Sequence, residues 1–106
     1  MKILRFDIDG HKIITYLYVD GTLKWHDIAE TMAKLSIKEN ALSDLSGVYV
    51  YRGPGGYSKL RSIWAFAMGL SLGGIPVQGY KEWSDKLSQL IPRNTNQSII
   101  YSQEIK

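Results

Sequence analysis

The sequence predicts an α/β fold: a mixed sheet in which an antiparallel three-strand meander leads into parallel strands flanked by helices. Three observations carry this. The first 26 residues hold three β-rich runs parted by Asp9-Gly10 and Asp20-Gly21, both favoured tight-turn pairs. Val48-Tyr49-Val50-Tyr51 is followed by a glycine-rich break, a helix-length apolar run and a further extended piece. Strand and helix patterns then alternate to the end, which puts parallel strands beside the ribbon in one sheet. At 106 residues the chain makes one domain, 1–106.

The elements follow in order. Lys2–Ile8 alternates, with Leu4, Phe6 and Ile8 on one face and Ile3, Arg5 and Asp7 on the other, as a half-buried strand does. Lys12–Val19 carries apolar residues on both faces, which suits a strand covered on two sides. Thr22–His26 is a shorter third strand. Asp27 is a candidate N-cap with Glu30 in capping-box position, and Ile28, Met32 and Leu35 give helical spacing toward Asn40. Val48–Tyr51 is the next strand, Tyr57–Leu72 a helix stopped by Gly73-Gly74, and Ile75–Gln78 an extended piece in which Pro76 resists helix. Trp83, Leu87 and Leu90 space a third helix over Lys81–Leu90. Pro92–Asn96 is a loop and Ser98–Tyr101 a last short strand. The order β-β-β-α-β-α-β-α-β is the layout of a ribonuclease-H-like lobe.

Composition narrows the function classes. Hydrophobic content of 44% and charged content of 22% belong to a soluble globular protein, and a net charge of +3 is too slight to argue for nucleic acid. With no cysteine there are no disulfides and no thiolate metal sites, which fits a cytoplasmic protein. The opening M-K-I-L-R-F-D-I-D-G is too charged to be a signal-peptide core.

The helix is the unusual element. From Ser62 to Tyr80 there is no charged residue, and Leu60, Ile63, Trp64, Phe66, Ala67, Met68, Leu70 and Leu72 fall all round the cylinder. An ordinary surface helix keeps a polar face. Two readings fit: a core helix buried by its own sheet and neighbouring helices, or one partly covered by another protein. A membrane span does not fit, because the apolar stretch Ile63–Leu72 is about half the roughly 20 residues a span needs.

At these residues the chain resembles a family. Arg52–Arg61 (R-G-P-G-G-Y-S-K-L-R), Ala65–Leu72 (A-F-A-M-G-L-S-L) and Gly74–Val77 (G-I-P-V) are similar to the G-P-G-S-F-T-G-L-R … A-K-G-L-A … G-I-P signature of the TsaB (YeaZ) family. The opening strand resembles that family's M-K-I-L-A-I-D-T-S, and Ala41–Val50 (A-L-S-D-L-S-G-V-Y-V) its L-S-L-S-D-L-D-A-I-A-V. The matches occur in family order over nearly the whole chain. The resemblance implies the N-terminal lobe of an actin/Hsp70-type ATPase architecture. It implies a non-catalytic subunit that docks on a TsaD-type catalytic protein, with a TsaE-type ATPase as a further partner. That system makes threonylcarbamoyladenosine at adenosine 37 of tRNA, which the subunit itself meets only indirectly.

Docking would use the Gly53–Leu72 region, with Tyr57, Leu60, Arg61, Trp64, Ala65, Ala67, Met68, Gly69, Ser71 and Leu72 as the partner interface. Alone, the lobe is expected to homodimerise through the same surface. The sequence departs from the family in places. It ends where a second lobe's first strand would begin, Asp9-Gly10 stands where the family has small hydroxyl residues, and Lys59 replaces a glycine. The alternative reading is half of a nucleotide-binding actin-like ATPase, completed by self-association, with ATP and Mg²⁺ at a shared interface.

Candidate chemistry is sparse. Arg52, Gly53, Gly55 and Gly56 before a helix N-terminus form a candidate anion-binding loop; a tight strand-to-helix turn needs the same small residues. No G-K-[ST] follows, so the loop is not a P-loop. Asp7 and Asp9 could hold Mg²⁺ through water or serve only as strand-end and turn residues. His11 and His26 lack helical ligand spacing, and no G-x-S-x-G elbow is present. R-G-x-G-x-Y echoes an RNA-recognition motif without completing its aromatic–basic alternation. No catalytic residue and no metal ligand set is expected.

Overall fold

The computed structural model describes residues 1–35, 37, 42–53 and 57–93. Its frame is a five-stranded mixed sheet with the order β3-β2-β1-β4-β5. β1 (Lys2–Asp9), β2 (Lys12–Val19) and β3 (Thr22–Ala29) form the antiparallel meander; β4 (Gly47–Tyr51) runs parallel to β1, and β5 (Val77–Tyr80) parallel to β4. Between β4 and β5 the helix α1 (Tyr57–Leu72) crosses one sheet face.

The turns are set by backbone chemistry. Asp20 and Gly21 both have positive φ (50° and 82°), the requirement of the two-residue turn that matches strand twist. The first hairpin turns at Gly10-His11, one residue later than the Asp9-Gly10 reading, because β1 pairs through Asp9 with Lys12. α1 ends in a Schellman cap. Gly74 (φ 94°) donates to the Ser71 carbonyl at 2.9 Å, and Ile75 N–H reaches back to Leu70 at 3.3 Å.

Two expected helices are corrected. Asp27 is no N-cap: it sits in β3 opposite Thr15, and the strand runs on to Ala29. Only a 3-10 turn, Met32–Lys34, follows within the described part of the expected helix, and Thr31 gives it no side-chain cap. Pairing with the long β2 outweighs the local capping signal, because each further residue of β3 satisfies backbone groups of a neighbouring strand. Likewise Lys81–Leu90 yields a 3-10 turn, Asp85–Gln89, capped by Ser84. The extended piece expected over Ile75–Gln78 is the strand Val77–Tyr80, two residues later. Residues 94–106, with the expected Ser98–Tyr101 strand, and the segment 38–41 lie outside the described residues.

The sheet buries residues on both faces. Under α1, Leu4, Phe6, Ile13, Leu17, Val48, Val50 and Val77 meet Leu60, Ile63, Trp64 and Ala67. On the opposite face Ile3, Tyr18, Tyr49 and Tyr80 pack with Trp83 and Leu87. β1 is therefore covered on both sides at its start rather than half-buried. Among the described residues no helix is long and apolar enough to cross a membrane.

Candidate functional site

The outer face of α1 is the candidate site. Helical periodicity divides the ten expected interface residues. Leu60, Trp64 and Ala67 point into the chain's own core and are essentially without solvent exposure. They share that inward stripe with Ile63, so they anchor the helix to the sheet and present nothing outward. Arg61, Ala65, Gly69 and Leu72 are exposed, as is Met68, while Ser71 is intermediate. Tyr57 is the helix's first residue. Leu72 is 86% exposed and Met68 38%. A Cβ built on Gly69 meets nothing within 4 Å, so the surface over that glycine is open.

From its third turn on, the helix thus carries an outward patch of Ala65, Met68, Gly69 and Leu72, flat at the small residues and apolar at the long ones. Its only charged neighbour in the set is Arg61 at one end. Burying such a patch gives a favourable transfer energy with no charge to desolvate. The all-round apolar pattern of the helix is accounted for on one side by the sheet.

Only part of the candidate anion loop is described. Gly53 is buried with φ 90°, and the Arg52 N–H donates to the Tyr80 carbonyl at 2.9 Å, continuing the β4–β5 ladder. The Arg52 side chain runs along β5, where a Cβ on Gly79 would lie 3.0 Å from its Cδ. Gly55 and Gly56 lie outside the described residues. Beside the first turn of α1, Ser58, Lys59 and Ser62 line an open pocket of about 190 Å³ with Glu30 and Thr31. Lys59 Nζ donates there to the Glu30 carbonyl at 2.5 Å, so the cation ties α1 to the end of the meander.

The most elaborate polar cluster was not expected from the sequence. Arg5, on β1 and buried, has its guanidinium carbon 4.3 Å from the Tyr16 ring centroid and 4.4 Å from that of Trp83. Its Nε donates to the Tyr80 hydroxyl, Nη1 to the Tyr18 hydroxyl and Nη2 to Asp7 Oδ2, each at 3.0 Å. Tyr80 in turn donates to the Phe6 carbonyl at 2.9 Å. Burial pushes the Tyr80 hydroxyl well above the ordinary tyrosine range, against the opposing pull of Arg5. The Asp7 carboxylate also accepts from the Ile8 N–H at 2.8 Å. One visible signal lay in the alternation: Arg5 shares a face with Ile3, and tyrosines recur every second residue on β2 and β4.

Asp7 is thereby committed to Arg5, and Asp9 lies exposed at the strand end. Among the described residues no three His, Asp or Glu side chains converge as a metal set. His11 is exposed at the first turn; His26 is exposed on β3, stacked on Tyr16 at 6.3 Å. No family model matches the chain, and no curated protein matches it.

Proposed function

We propose that this chain is a non-catalytic interaction lobe of the TsaB type, docking through the outer face of α1 on a TsaD-type catalytic subunit and so supporting threonylcarbamoyladenosine formation on tRNA. The observation that carries the reading is the exposed, uncharged patch of Ala65, Met68, Gly69 and Leu72 on a helix whose opposite stripe is fully buried. The sheet order, with its antiparallel ribbon on one side of β1 and its parallel strands on the other, supports a ribonuclease-H-like lobe. The competing reading, half of a nucleotide-binding ATPase, draws less support. The carboxylate best placed on β1 to hold a hydrated cation is engaged by Arg5 and by a backbone N–H.

Co-expression with a TsaD-type subunit tests the proposal. The wild-type chain should copurify with it, and Gly69→Arg and Leu72→Arg should weaken the complex by about tenfold or more while the lobe stays folded. If both variants are folded and bind as wild type does, the outer face of α1 is not the docking surface. Saturable binding of ATP with Mg²⁺ to the chain alone would favour the competing reading.

A further inference from the structure

The meander ends in an edge strand whose two exposed aliphatics do not obey simple alternation. Leu23 is 46% exposed and Ile28 50%. Five residues apart, they should fall on opposite faces of β3. They share one face, because Leu23 lies opposite Tyr18 and Ile28 opposite Ile14, and those two are four apart on β2. The cause is a bulge: Trp25 pairs with Leu17 and Leu23 with Tyr18, which leaves Lys24 as an extra residue.

The backbone follows the same count. Asp20-Gly21 is a two-residue turn, so Val19 and Thr22 face each other as its flanking pair and turn their bonding groups inward. Alternation then directs the N–H and C=O of Trp25, Asp27 and Ala29 at β2, and those of Leu23, His26 and Ile28 at the open edge. Among the described residues β3 pairs with β2 alone.

We infer that a second copy of this chain adds to this edge, β3 against β3, antiparallel about a two-fold axis at His26. This register is self-complementary. His26 faces His26 of the other copy, and each Leu23 meets an Ile28 on the same sheet face. The Lys24–Trp25 bulge of each copy lies opposite Asp27 of the other, bringing opposite charges together. All three outward-bonding positions are used, as an antiparallel ladder requires. A lysine and a bulge blunt an edge toward strands in general. Toward its own copy the bulge is what aligns Leu23 with Ile28, so the device admits this one partner. The paired sheets would leave the outer face of α1 open, since that helix packs chiefly over β1, β4 and β5.

The chain contains no cysteine, so a single introduced one reports geometry without ambiguity. Directly opposed residues of a bonded antiparallel pair have Cα atoms about 5.5 Å apart, inside the range of about 4.4–6.8 Å that a disulfide spans. Mild oxidation should link His26→Cys into a covalent dimer and leave Leu72→Cys without a crosslink. Sedimentation equilibrium of the cysteine-free chain should show a concentration-dependent dimer. Ile28→Lys, at an exposed position, should raise its dissociation constant about tenfold or more, because the two-fold axis removes two pairs at once. A chain that stays monomeric at every concentration overturns the inference. So does crosslinking through Leu72→Cys with none through His26→Cys, which would place self-association on α1 instead. Neither result bears on docking of a catalytic subunit, which the copurification experiment reads separately.

Discussion

The guanidinium carbon of Arg5 lies 4.4 Å from the centroid of the Trp83 ring, joining the first strand of the sheet to the segment that follows the last one. Trp83 also stacks on Tyr18 at 5.5 Å and meets Tyr49 and Tyr80 edge-on at 5.4 and 5.3 Å. Removing the cation therefore leaves two phenol oxygens and a carboxylate without their donor as well as a gap between rings. Arg5→Ala should cost about 3 kcal/mol or more by urea unfolding. Arg5→Lys should recover only part, because an ammonium neither stacks between two rings nor reaches three acceptors in one plane. Full recovery by lysine would show that charge alone matters there.

Tyr80 gives the pH dependence. Its hydroxyl is pushed up by burial, so the folded state keeps the proton to higher pH than the unfolded chain. That contribution is complete below the unfolded value of about 10 and is lost progressively as pH rises through it toward the folded value. The slope from this group is about 1.4 kcal/mol per pH unit above pH 10. Urea midpoints between pH 9 and 11 should fall for the wild type and fall less steeply in Tyr80→Phe, where burial of Tyr16 and Tyr49, which raises both hydroxyls, supplies the remainder. An equal fall in both would assign the alkaline loss to other groups.

Two glycines should respond with opposite sign to the same substitution. A Cβ on Gly47, buried in β4, would lie 2.1 Å from Cδ of Pro92, a ring atom with no rotamer to move into. Gly47→Ala should destabilise by about 1–3 kcal/mol. Gly69 stands mid-helix with open space around it, so Gly69→Ala should stabilise by about 0.5–1 kcal/mol. Thermal melts of the pair check both. A destabilised Gly69→Ala would mean that something covers that surface in the isolated chain.

Where the pattern came from local chemistry, the sequence was legible. The meander follows from its turn residues, and α1 runs Tyr57–Leu72 as its glycine stop requires. The failures share a cause. Asp27 with Glu30 is a sound capping signal, yet β2 offers a long ladder and β3 pairs with all of it from Ile13 to Val19. Trp83 and Leu87 do pack on the core at the spacing that suggested a helix, but only Leu87 lies in a 3-10 turn, and Trp83 precedes its Ser84 cap. At the site, apolar residues all round α1 showed that two faces needed covering without showing which residues lay on which. Ala67 illustrates the consequence. It sits under the helix against the sheet, so Ala67→Arg would unfold the lobe and say nothing about docking.

Thr15 supplies the last prediction. It lies on β2 beneath α1, without solvent exposure, and its Oγ1 has no hydrogen-bond partner among the described residues. A buried hydroxyl in that state bears its desolvation cost with nothing in return. Valine has nearly the same shape and the same β-branched preference for a strand. Thr15→Val should therefore raise stability by about 1 kcal/mol, read as a higher urea midpoint with an unchanged denaturant slope. Thr15→Ala, which removes the methyl contact as well, should fall below the wild type. If valine destabilises, the hydroxyl has a partner that the described residues do not supply, and the face under α1 is wetter than its apolar lining implies.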